Sequence, residues 1–340
     1  LTRSVAAGDG NRPAADSLIR YYDESGTPPG QWLGSGLAGL GAGALSEGDR
    51  VTEEQMGRLF GIGLDPVTGE VLSRTYSLPA DGGLSPSRSG FDLTFQVPKS
   101  ASALWAVADA GVQAQIVRAH HEAIKETLAL FEREVIMTRA GKHGVAQLET
   151  RGLIAAAFDH FDSRAGDPHL HTHVVVANRV QGMDEKWRTL DSRALYKAIV
   201  AMSRTHSSLF ADRLAQVLPV QWGVPDARKQ ALGDVEIVGV PSQLRDEFSQ
   251  RRLAIIAART KAVADFQSRH GREPTASEVR RLDYLTWATT REAKQGGSLA
   301  SLTEAWRERA VGVLVRLGWK PRTGQGRDAA EWVREVLAAD

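Results

Sequence analysis

The sequence predicts an α+β front half and a mainly helical back half, dividing between Gly233 and Pro241. Three observations carry this. Phe91–Val97 (FDLTFQV) alternates apolar and polar residues like a half-buried strand, and Leu170–Val180 (LHTHVVVANRV) holds the nearly unbroken apolar run of a central one. Gln113–Val135 spaces Ile116, Val117, Ile124, Leu128, Leu130 and Phe131 with a helical period. Beyond Asp191, helical patterns dominate, with one helix expected over Ala194–Leu218 and several more from Ser242 onward.

In chain order, Leu1–Ala7 is a possible short strand, and Pro13–Tyr22 reads as a helix with proline in its first turn. Ser25–Gly43 is rich in Gly and Pro and is expected to be loop. Within it, Gly34, Gly36 and Gly39 match the dinucleotide fingerprint in form. No apolar strand precedes them, so that reading is rejected. Pro98 ends the strand at Phe91–Val97, and Ser100 is expected to cap the next helix. A further strand is expected over Gly152–Asp159.

The chain has 340 residues, 42% hydrophobic and 24% charged, enough for one large domain or two smaller ones. No segment approaches the roughly twenty apolar residues of a membrane span. No basic region followed by an apolar run marks a secretion signal, and a cytoplasmic setting is expected. Leu1 is no ordinary initiator, so the numbering is expected to start at a trimmed or internal point. With no cysteine, disulfides, thiolate metal sites and cysteine nucleophiles are excluded, and no Walker A sequence occurs. The net charge of +1 makes no global case for nucleic acid, although eighteen Lys and Arg face thirteen Asp and Glu from Pro241 to the end.

Histidines carry the chemistry. His171 and His173 lie two apart on an expected strand, so both imidazoles point to one face. His160 ends the preceding strand, and an antiparallel pairing folds it back beside them as a three-nitrogen metal site with open positions. Two exposed histidines on a surface strand are the plainer alternative. His169 shares their parity but is expected in the loop, because Asp167-Pro168 bends the chain. His120, His121, His143, His206 and His270 show no comparable arrangement and read as surface or core residues. Asp92 is either an edge-strand surface acid or a carboxylate holding a ligand histidine by its second ring nitrogen.

Tyr21 and Tyr22 stand out among only five tyrosines. Such pairs usually pack in an aromatic cluster, but beside a metal site a phenol can act as nucleophile on a phosphodiester. The phosphotyrosine ester so formed resembles in energy the bond broken, so the cut is reversible without ATP.

These residues resemble the MOBF class of conjugative relaxases among the HUH endonucleases. The likeness runs through Tyr21-Tyr22, the stretch from Trp32 to Gly36, Leu64–Glu70 (LDPVTGE) and Gly90–Phe95 with Pro98-Lys99-Ser100. It continues through His160, Asp167–His173 (DPHLHTH), its most specific part, and Lys186–Leu190. The resemblance implies a five-stranded antiparallel palm flanked by helices over residues 1–235. Helical fingers over 236–340 would clamp single-stranded DNA. It implies Tyr21 as the attacking residue, His160, His171 and His173 as ligands of a divalent metal (Mg²⁺ or Mn²⁺, although a three-imidazole site tolerates other divalent ions), and Asp92 as the group orienting one of them and assisting proton removal from the tyrosine. It places a cation at Arg164. The implied partners are single-stranded DNA and an adjacent hairpin at a plasmid origin of transfer, a downstream helicase region and accessory transfer proteins. The implied reaction is a strand-specific nick leaving a 5′-phosphotyrosine and a free 3′-OH.

One departure concerns the second tyrosine or pair that relatives often carry. Asp23–Thr75 contains none, so a second transfer would need Tyr22, another molecule or a regenerated Tyr21. Arg251, Arg252, Arg259 and Lys261 are candidates for phosphate contacts. The rivals are a rolling-circle replication initiator with the same chemistry, a metal-dependent phosphodiester hydrolase, and a DNA-binding module with a vestigial metal site.

Overall fold

The computed structural model describes residues 29–73, 88–224, 235–290, 298–321 and 329–338. It has an α+β architecture with antiparallel sheets. The expected strand Leu1–Ala7 and helix Pro13–Tyr22 lie outside the described residues. The chain divides into two compact units.

The first unit comprises 1–97, 115–160 and 170–217. Its four-stranded sheet contains β1 (Gln31–Leu33), β2 (Gly90–Gln96), β5 (Ala155–Asp162) and β6 (Pro168–Ala177), in the order β1-β5-β6-β2. β1 runs antiparallel to β5 and β2 antiparallel to β6, with Thr94 opposite His173. The five residues between β5 and β6 force these neighbours antiparallel too, since a parallel crossover needs a dozen or more. Two short ribbons accompany the sheet, β3 (Met137–Ala140) with β4 (Ala146–Glu149), and β7 (Val180–Gln181) with β8 (Trp187–Arg188).

Both sheet faces are covered, which is why β6 reads as almost continuously apolar. On one face, Phe91, Leu93, Phe95, Val174 and Val176 pack in one cluster with Ile124, Leu128 and Phe131 of α3 (Ala110–Glu134) and with Leu195 and Met202 of α4 (Ser192–Val217). On the other, Trp32, Phe158 and Val175 cluster with Leu37, Leu40, Leu59 and Phe60, carried by short turns and by the helix α1 (Glu53–Met56) with its π-turn continuation Gly57–Ile62.

The expected loop at Ser25–Gly43 is corrected at its centre, where Gln31–Leu33 forms an edge strand. Three residues are too few to show a period, but Trp32 is fully buried and supplies the reason the segment pairs. The strand expected at Gly152–Asp159 sits three residues later, and His169 lies inside β6 rather than in a loop, because the strand begins at Pro168.

The second unit comprises 98–114, 161–169 and 218–340. It contains α2 (Lys99–Val107), the ribbon β9 (Trp222–Gly223) and β10 (Glu236–Ile237), and the helices α5 (Ser242–Glu247), α6 (Gln250–His270), α7 (Ala276–Thr289), α8 (Leu299–Arg316) and α9 (Ala329–Leu337). Its aromatic centre has Trp105 stacked on Phe161 at 5.3 Å and tilted against Trp306 at 5.9 Å. Ser100 does not cap its own helix. Its hydroxyl accepts from the Ile237 backbone N–H at 2.7 Å, joining α2 to β10, while Pro98 occupies the cap position. Among the described residues no helix is long and apolar enough to cross a membrane.

Candidate metal centre

β5 and β6 alternate side chains between the two faces, and this alternation builds the site. On β5, His160 shares parity with Phe158; on β6, His171 and His173 share parity with Val175. The three imidazoles therefore continue the face that Phe158 and Val175 begin in the apolar cluster. Their ring centroids lie 4.9 Å (His160–His173), 5.1 Å (His160–His171) and 5.2 Å (His171–His173) apart. One nitrogen from each falls within 4.8 Å of the others. His160 and His171 are buried and His173 is half-buried.

Three imidazole nitrogens at this spacing suit a borderline divalent cation and leave positions for other ligands. Asp92 supplies the outer support. Both of its carboxylate oxygens lie 2.9 Å from His173 Nδ1, which donates to them, so Nε2 is the nitrogen left for a cation. The sheet register explains the contact: Asp92 stands opposite Val175 on β2, two residues along from the Thr94–His173 pair and on the same face.

The structure thus brings His160, His171, His173 and Asp92 together. Arg164 falls in the β5–β6 turn, within the second unit; burial of the Arg251 guanidinium and then the nearby Arg164 charge hold Arg251 below its usual value. Tyr21 and Tyr22 lie outside the described residues. His169 shares the parity of the triad yet is not part of the convergent group.

That turn is held within its own unit. Lys99 Nζ donates to the Pro168 carbonyl at 2.7 Å, and Trp306 Nε1 to the Gly166 carbonyl at 2.7 Å. The buried Asp167 carboxylate accepts from Arg309 and from the Gln250 backbone N–H, each at 2.8 Å. Burial pushes the Lys99 amine down to about 8.

The sequence reading passed over a buried polar layer behind the triad, built from His120, His206, Thr172 and Asp159. The signal was present in the alternation: Asp159 adjoins His160 and Thr172 separates His171 from His173, so both must face the opposite side of the sheet.

A family model described as TrwC relaxase matches residues 1–313. The multifunctional conjugation protein TraI of Escherichia coli is 29% identical over 351 aligned residues, covering 96% of this chain. The chain spans only 18% of the length of that relative. A solved structure of the conjugative relaxase TrwC in complex with oriT DNA, metal-free, has a TM-score of 0.66 at 25% identity, covering 89% of this chain and 94% of its own. A metal-bound structure of TrwC with oriT DNA also gives 0.66 at 25% identity, covering 88% and 93%.

Proposed function

The chain belongs to the TrwC relaxase family, and from that premise we propose that it nicks and rejoins one DNA strand at a plasmid origin of transfer. The observation that carries the proposal is the convergence of His160, His171 and His173, with Asp92 bonded to His173, in a chain that the relaxase family matches over residues 1–313.

His160, His171 and His173 would hold a divalent ion, for which Mg²⁺ and Mn²⁺ are the proposed candidates. When bound there, such an ion polarises a phosphate P–O bond and offsets charge developing in an in-line displacement. The Tyr21 oxygen attacks phosphorus. A new O–P bond forms as the bond to the 3′ oxygen breaks, leaving a 5′-phosphotyrosine and a 3′-OH that takes up a proton in place of the one the phenol loses. Asp92 fixes the His173 ring and its tautomer. Tyr22 is proposed as the alternative nucleophile for a second transfer, and Arg164 as a cation that attracts the phosphate backbone.

The four-stranded sheet fits a palm. We propose that a fifth strand completes it; the strand expected at Leu1–Ala7 lies outside the described residues. We assign residues 1–235 to the palm and the helices of 236–340 to fingers that grip single-stranded DNA beyond a hairpin. Cytoplasmic action, a helicase continuation and accessory transfer proteins are proposed on the same footing.

The test uses a single-stranded origin oligonucleotide with Mn²⁺ and a denaturing gel. A protein–DNA adduct is expected, abolished by Tyr21→Phe and by EDTA. Cleavage without an adduct would instead support a hydrolase, and binding without cleavage a DNA-binding module.

A further inference from the structure

We propose that His120 is a positioning residue for the metal centre, a middle link of a hydrogen-bonded chain that ties the two ligand strands together on the face opposite the ligands. This rests on reading the three imidazoles as a metal site.

The chain of bonds has one direction. The Thr172 hydroxyl donates to Asp159 Oδ1 at 2.6 Å. Having given its only proton, its oxygen accepts from His120 Nε2 at 3.0 Å. His120 Nδ1 is then an acceptor, and it receives the Nε2 proton of His206 at 3.1 Å. The second Asp159 oxygen takes a bond from His121 Nε2 at 2.8 Å. These bonds require a neutral His120 with its proton on Nε2, and a proton on Nε2 of His206. Burial holds both neutral, lowering His120 well below the ordinary imidazole value and His206 to about 4.

The layer is out of character with its surroundings. His120, His206 and Thr172 are almost wholly buried, on a face otherwise filled by Phe95, Ile124, Val174 and Met202. Apolar side chains there would carry no desolvation cost, whereas each polar group here must find a partner. What the polar layer adds is specification. Thr172 lies between two ligands and Asp159 beside the third, so the Thr172–Asp159 bond clamps β5 to β6 at the residues that carry the imidazoles. A slip or rotation of one strand would separate the pair on this face and the imidazoles on the other. His120 and His206, fixed on the long helices α3 and α4, hold the clamp from behind.

The experiment titrates the full chain with Mn²⁺ by calorimetry and follows amide hydrogen exchange of β5 and β6 in metal-free protein. His120→Leu is expected to weaken Mn²⁺ binding about tenfold or more and to speed exchange in both strands, with circular dichroism unchanged. His120→Gln, which keeps an N–H donor, is expected to restore most of the affinity. Thr172→Val removes the central link with little change in volume, and it decides the matter should His120→Leu fail to fold. Affinity and exchange matching wild type in the folded variants would overturn the proposal while leaving the metal site standing. A wild-type chain that binds no Mn²⁺ would remove the metal-site reading, and the proposal with it.

Discussion

Asp92 presents both oxygens at the same 2.9 Å distance to His173 Nδ1, so its effect on a cation passes through the ring it holds. Asp92→Ala frees that ring to rotate and change tautomer. Metal affinity in a Mn²⁺ titration is expected to fall about 10- to 100-fold, and Asp92→Asn, which can still accept the bond, should lose less. His206 makes a prediction in pH. Its folded value of about 4 lies below the ordinary 6.5, so between those limits the unfolded chain binds more protons. Stability is therefore full above pH 6.5 and declines as pH falls toward 4, by an amount on the order of 3 kcal/mol from this group. Thermal midpoints measured across that window should drop, and His206→Gln should flatten the slope. At this scale the three convergent histidines were legible, His171 and His173 from strand parity and His160 from the expected antiparallel pairing. His120 and His206 were not, because their partners lie far along the chain, Thr172 of β6 for His120 and His120 itself for His206, and a helical period marks a face as buried without saying that polar groups are paired there.

Among the elements, β1 shows why a short strand hides in a glycine-rich stretch. Gly34 follows it with φ of +104°, and a Cβ there would sit 2.3 Å from the Leu153 carbonyl oxygen. At Gly36 the same oxygen would be 2.8 Å away, and Gly36 N–H donates to it at 3.0 Å. These glycines let one backbone lie against another, which accounts for the apparent dinucleotide pattern without a nucleotide. Gly34→Ala should destabilise the first unit by roughly 2–4 kcal/mol, read as a lower denaturation midpoint at unchanged slope. The long elements were visible beforehand: α3 and α4 begin within three residues of their expected positions, and β2 within one. β6 starts at Pro168, two residues before the expected Leu170, although Asp167-Pro168 predicts a bend. Proline tolerates the first position of a strand, and here its carbonyl also accepts from Lys99.

For the molecule as a whole, a net charge of +1 leaves little long-range attraction for DNA, so the proposed DNA binding would have to come from local cation clusters. Of the basic residues on α6, Arg259 is engaged with Asp283 of α7 at 2.5 Å, while Arg252 and Lys261 are exposed. Affinity for a single-stranded origin oligonucleotide should fall steeply with salt. If Lys261 contacts a phosphate, Lys261→Ala should lower the log–log slope by about one for any sequence, whereas Arg259→Ala should change it less because its charge is already compensated. The fingers assignment suffers if neither substitution alters the slope.

The compactness of the proposed ligand set along the chain bears on assembly. His160 and His173 are only thirteen positions apart, so a disordered ribosome-bound segment can bring all three imidazoles together at small loop-closure cost. A cation can thus be captured before α4 and the later helices have been synthesised, and the denatured ensemble then retains some affinity for it. By mass action, saturating metal then raises the melting temperature by less than its affinity for the native protein alone implies.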